Sequence, residues 1–113
     1  MAGDQEGSAR KHYLAAAYGR LALDYDRLGP RLFSYFGQRL VEFAPVHPGT
    51  VVLDVAAGRG AVLLPAAERV GEQGRVIGID LTDAMVQHTA AELHQRGLAQ
   101  AAMRQYFAGY YGL

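Results

Sequence analysis

The sequence has no cysteine, no tryptophan and only four prolines in 113 residues, and its eleven basic and eleven acidic side chains cancel. Each shortage removes a class of function. Without cysteine there is no disulfide scaffold, thiolate zinc site or cysteine nucleophile. Balanced charge, with no basic run and no aromatic–basic interleave, takes away the electrostatic footprint of a general nucleic-acid binder, so nucleic acid could enter only as a substrate. No apolar run approaches the roughly 20 residues of a membrane span, and the opening MAGDQEGSARKH lacks the apolar stretch of a secretory signal. The expected compartment is the cytoplasm. His12, His47, His88 and His94 fall at no metal-ligand spacing, so no metal site is expected. At this length the chain is one domain at most and short for a complete α/β enzyme domain, so it reads as a partial unit.

What is present is a sequence of punctuated apolar segments. Residues 1–7 have the composition of a disordered arm, and residues 8–49 read as a helical flank. Leu14, Ala17, Tyr18, Leu21 and Tyr25 share one helical face until Gly29-Pro30 ends it. A second helix carries the stripe Phe33, Phe36, Leu40 and Phe43 and closes at Pro45 and Pro48-Gly49. Residues 50–105 then alternate strand and helix. Val51 to Val55 is a continuous β-branched and aliphatic run, the pattern of a strand covered on both faces. Ala61 to Val70 is helical, with Pro65 expected to bend it. Arg75 to Asp80 is a second strand. Thr82 caps a helix in which Met85, Val86, Thr89, Ala90 and Leu93 share a face and Gly97 supplies the stop. Ala101 to Gln105 suits a third strand. The order implies an α/β fold: a partial Rossmann-like parallel sheet of two to three strands joined by right-handed crossovers, with two N-terminal flanking helices.

The chemistry concentrates where the strands end. Ligands of open parallel sheets bind beyond the carboxyl ends of the strands, which is where Asp54 to Gly60 and Asp80 to Thr82 fall. Gly58 and Gly60 allow close backbone approach, and the helix that follows offers free N–H groups at its positive end. Asp80 lies about 20 residues beyond the turn, the distance at which an acidic side chain meets ribose hydroxyls. A dinucleotide fingerprint needs G-x-G-x-x-G, but Leu63 stands where the last glycine belongs. Asp54 would also repel a phosphate, by about 4 kcal/mol for unit charges ~4 Å apart at an effective dielectric of about 20. The same carboxylate attracts an ammonium or sulfonium. A ligand with ribose, an amino acid's charged groups and no phosphate meets these conditions, and S-adenosylmethionine is such a ligand.

Leu53-Asp54-Val55-Ala56-Ala57-Gly58-Arg59-Gly60 followed by Val76-Ile77-Gly78-Ile79-Asp80-Leu81-Thr82-Asp83-Ala84-Met85 resembles motifs I and II of class I S-adenosylmethionine-dependent methyltransferases. It is most similar to the branch that includes ubiquinone and menaquinone biosynthesis methyltransferases. The resemblance runs from about Tyr25 to Ala102, only the first half of that family's domain. It departs at Ala56, where the family has its first glycine. It implies that Asp54 and the backbone of Ala56, Ala57 and Gly58, with Gly60, face the methionine part of the cofactor. It further implies that Asp80 meets the ribose hydroxyls, and that Leu81 with Met85 lines the adenine edge and ribose. An aromatic residue from the N-terminal helices, Tyr25 ahead of Tyr18, would close over the methionine end. The implied reaction is transfer of a methyl group to a small-molecule acceptor, with no catalytic base identifiable.

Residues 106–113 form an uncharged tail with three of the seven tyrosines, unlike the sequence before it and without the family's later strands. A family-like sheet would place the first strand centrally, so loss of its next neighbour uncovers that strand's edge and one face, with a homodimer through the edge as one outcome. Two other readings stay open. One is a non-catalytic or truncated cofactor-binding or interaction module; the other is an NAD(P)-dependent oxidoreductase fragment, disfavoured by Leu63 and Asp54. The bland reading of Gly58 and Gly60 is a tight turn, and that of Arg59 is a solvated side chain.

Overall fold

The computed structural model describes residues 2–21 and 32–106. Its elements run α1 (Ala2–Leu21), α2 (Leu32–Phe43), β1 (Val51–Val55), α3 (Leu63–Val70), β2 (Arg75–Asp80), α4 (Asp83–Gln95) and β3 (Ala101–Gln105). The three strands are parallel in the order β1-β2-β3, with Val51 paired to Arg75 and Asp54 to Gly78 across the first ladder, and Val76 to Ala101 across the second. Sequential order with right-handed crossovers puts α3 and α4 on the same face of the sheet. That face holds the core: Val76 from the sheet, Leu63, Ala66, Ala67 and Val70 from α3, Leu93 from α4, and Val41 and Val46 from the segment that leads into β1.

The middle of the chain forms for local reasons. Thr82 is extended and accepts a hydrogen bond from the Met85 N–H at 3.3 Å, capping α4 as expected. At the other end Gly97 takes φ +67, and the Gly97 and Leu98 amides donate to the His94 and Leu93 carbonyls, which terminates the helix. Gly78 in β2 is enclosed by Met103, Leu63 and Ala57, and a Cβ there would meet the Leu63 side chain at 2.9 Å. Its bare Cα is what lets the turn after β1 lie down on the sheet.

Four expectations change. The first helix begins at Ala2, so residues 2–7, read as a disordered arm, are helical; no proline interrupts them, although Gly3 and Gly7 are poor helix formers. α3 begins at Leu63 rather than Ala61, which puts Pro65 in the first turn, where its missing N–H would have had no partner within the helix and no bend is needed. Phe33 and Phe36, which helical spacing marks as packing residues, are exposed together with Leu40 and Phe43, the last at 79 %. Instead Gly37 and Val41 are buried, because the glycine allows the α2 backbone to press on the Ala61 carbonyl.

The fourth concerns β1, read as covered on both faces. It is an edge strand, and Val51, Leu53 and Val55 are 73 %, 62 % and 59 % exposed, since both crossover helices lie on the other side. The uncovered edge and face anticipated from a centrally placed first strand are what the structure has. α1 packs against α4, and α2 against α3. Tyr25 and residues 107–113 lie outside the described residues, and none of the described helices is long and apolar enough to cross a membrane.

Candidate functional site

The carboxyl ends of β1 and β2 lie side by side, with Val55 opposite Ile79. The turn from Ala56 to Gly60 folds back over them, the Ala57 N–H donating to the Ile79 carbonyl at 2.9 Å and the Gly60 N–H to the Ala57 carbonyl at 2.9 Å. Three residues of the turn are left-handed, Ala56 at φ +57, Gly58 at φ +54 and Gly60 at φ +86. Glycine occupies that region freely, whereas an L-residue is disfavoured there by about 1–2 kcal/mol. The alanine at the family's first glycine position is therefore a backbone matter, not one of side-chain size alone.

Asp80 is the hub of this geometry. It is 8 % exposed. One carboxylate oxygen accepts from the Gly58 N–H at 2.8 Å, and the other from the Thr82 N–H at 3.0 Å and the Thr82 hydroxyl at 3.3 Å. The carboxylate thereby joins the glycine turn to the start of α4. Thr89, fully buried on α4, donates from its hydroxyl to the Gly58 carbonyl at 2.6 Å, a role that its place on an apolar helix face conceals. A threonine two turns below the Thr82 cap was the available signal.

Asp54 is held differently. Its Oδ2 is buried and has no hydrogen-bond partner among the described residues. Burial pushes its pKa above the ordinary value of 3.8, the neighbouring Asp80 charge adds to the rise, and the Leu63 backbone N–H opposes it. A desolvated carboxylate with an empty acceptor position beside a second carboxylate favours a cationic ligand. Asp54 lines a cavity of about 410 Å³ together with Ala56, Ala57, Gly58 and Gly60. Phe33 and Ser34 of α2 also line it. Arg59, read as solvated, is mostly covered and faces Glu92 of α4 at 3.9 Å.

Of the residues named from sequence, the structure brings Asp54, Ala56, Ala57, Gly58 and Gly60 onto one cavity, with Asp80 bonded to its rim. Asp80, Leu81 and Met85 are not among the cavity walls. Leu81 is half-buried, and Met85 is 2 % exposed in the interior. No group of His, Asp or Glu among the described residues is arranged to hold a metal ion.

Residues 46–108 match a family model described as a methyltransferase domain. The chain belongs to this family. The methyltransferase domain is 48 % identical over 87 residues to nocamycin O-methyltransferase of Saccharothrix syringae, covering 77 % of this chain and 31 % of that protein. It is 40 % identical over 98 residues to aklanonic acid methyltransferase DauC of Streptomyces sp. (strain C5), covering 87 % and 44 %. Among solved structures, a SAM-dependent methyltransferase from Aquifex aeolicus superposes with a TM-score of 0.66 at 26 % identity, over 79 % of this chain and 47 % of that one. The chain thus spans less than half the length of these proteins, and the parallel sheet described above is a part of their fold.

Proposed function

We propose that this chain is the cofactor-binding part of a methyltransferase that uses S-adenosylmethionine and acts on a small-molecule acceptor. The observation that carries the reading is the unpartnered, buried Asp54 Oδ2, set in a cavity walled by a glycine turn and held beside a second carboxylate. An ammonium supplies the missing partner, and a positively charged ligand relieves the repulsion between Asp54 and Asp80. Phosphate has the opposite effect, which disfavours a nicotinamide dinucleotide; Leu63, fully buried in the core at the third position of the dinucleotide pattern, disfavours it again.

In this reading Asp54 and the Ala56 to Gly58 backbone, with Gly60, hold the methionine part. The remaining acceptor capacity of Asp80 takes the ribose hydroxyls, and Leu81 offers apolar surface to the adenine, with Met85 supporting it from the interior. The resemblance assigns the methionine end to Tyr25 as well, a residue outside the described ones. When bound, the cofactor supplies an electrophilic methyl group on a sulfonium. The protein's part is then to orient, and holding two reactants in place contributes up to roughly 7–11 kcal/mol towards a barrier. The relationship to nocamycin O-methyltransferase supports an oxygen acceptor. A cytoplasmic location follows from the cofactor, and the exposed β1 edge supports pairing with a second copy.

Equilibrium dialysis of the chain against labelled S-adenosylmethionine tests the reading. Saturable binding at one site, with no quenching of reduced nicotinamide fluorescence, is the expected result. Quenching without S-adenosylmethionine binding would replace the reading with the oxidoreductase one.

A further inference from the structure

We infer that Thr89 is a positioning residue of the glycine turn: its hydroxyl fixes the Gly58–Arg59 peptide in the orientation that receives the methionine part of the cofactor. The inference rests on the reading of the cavity given above. A threonine inside a helix ordinarily turns its hydroxyl to the carbonyl of its own preceding turn. Thr89 instead reaches off α4 to a carbonyl 31 residues earlier in the chain, at 2.6 Å, from a side chain with no exposure to solvent.

The Cα of the acceptor residue faces open space. A Cβ on Gly58 would meet no atom within 4 Å, so the residue with the widest conformational freedom sits at φ +54 beside open space. Two side-chain bonds hold it. The Asp80 carboxylate accepts from its N–H and the Thr89 hydroxyl donates to its carbonyl, two anchors from outside the turn that add to the Gly60 N–H bond on the Ala57 carbonyl within it. Because N–H and C=O of one trans peptide point in opposite directions, drawing the Gly58 carbonyl towards α4 sets the Arg59 N–H on the other side of the turn.

The two anchors are also joined to each other. Asp80 accepts from Thr82, Thr82 caps α4, and α4 carries Thr89 back to Gly58. The ring contains the turn, the ribose-side carboxylate and the first turns of α4. A change at Thr89 therefore acts first on the part of the cavity that Asp54 and the glycines build.

Binding of S-adenosylmethionine and of adenosine to the 113-residue chain, in wild type, Thr89→Val and Thr89→Ser, tests this below the unfolding midpoint of each variant. Thr89→Val keeps the shape and loses the hydroxyl. It should weaken S-adenosylmethionine binding roughly fivefold or more while leaving adenosine within about twofold, and Thr89→Ser should restore wild-type affinity. Thr89→Ala provides the same comparison where the valine variant does not fold. Unchanged S-adenosylmethionine affinity without the hydroxyl, or equal losses for both ligands, overturns the role of Thr89 alone. A wild-type chain that binds no S-adenosylmethionine overturns the reading of the cavity, and this inference with it.

Discussion

The Gly58 backbone N–H donates to Asp80 Oδ2 at 2.8 Å, making the carboxylate at the end of β2 and the turn after β1 one hydrogen-bonded unit. Asp80 is thus a structural residue before any ligand arrives. Replacing it with asparagine removes a charge from the Gly58 and Thr82 hydrogen bonds and turns one acceptor into a donor that faces donors. Since hydrogen bonds to charged groups contribute about 1.5–3 kcal/mol, urea unfolding should show a loss of roughly that size for Asp80→Asn. A midpoint equal to wild type would mean that the unit carries no weight in the fold.

Ala56 sits at φ +57 in a position where its side chain is exposed. Glycine is free of the Cβ penalty there, offset in part by its greater freedom in the unfolded chain. Ala56→Gly should stabilise the protein by about 1 kcal/mol, a rise of a few degrees in thermal midpoint for a domain of this size. A fall in the midpoint would show that the left-handed turn is not under strain.

Asp54 titrates above its ordinary value of 3.8, chiefly because it is buried and secondarily because Asp80 is near. A raised carboxylate pKa means the folded state holds the proton more tightly than the unfolded one. The stabilising contribution is therefore complete below 3.8 and is lost as pH rises through the folded-state value. Without ligand, Asp54→Asn should stabilise the protein at neutral pH and remove this dependence. Cofactor binding runs the other way: the cation needs the carboxylate, so affinity should fall as pH drops through the raised pKa in wild type and not in Asp54→Asn. Parallel pH profiles for the two proteins would remove Asp54 from the site.

The β1 edge gives a prediction about assembly. Val51, Leu53 and Val55 present an apolar row on a strand that pairs on one side only among the described residues, a template for another strand. Sedimentation velocity should show a concentration-dependent dimer that Leu53→Lys shifts towards monomer, because like charges would meet across the contact. A wild-type monomer at every concentration counts against pairing through this edge.

The parts legible in the sequence are those decided locally. β-branched runs gave β1 and β2, Thr82 and Gly97 marked the ends of α4, and the glycine turn fell between a strand and a helix. The parts that were not legible depend on which neighbours exist. Periodicity identifies the Phe33, Phe36, Leu40 and Phe43 stripe of α2, but its orientation is set by Gly37 docking on Ala61, just before α3. Apolar composition marks Val51 to Val55 as a strand built for cover, without stating that both described crossover helices lie on one face. The shared position of Asp54 and the glycines on one cavity follows from their place at a strand end, whereas the contact between Thr89 and Gly58 joins residues that no local pattern relates.

Titration calorimetry of S-adenosylmethionine into the wild-type chain and into Asp80→Ala tests most directly whether two carboxylates and a glycine turn form a site for a phosphate-free cationic nucleoside. Saturable heat is expected in wild type, with affinity reduced more than about tenfold in the variant, the equivalent of roughly 1.4 kcal/mol or more. Identical isotherms for the two folded proteins, or no heat in wild type, would contradict it.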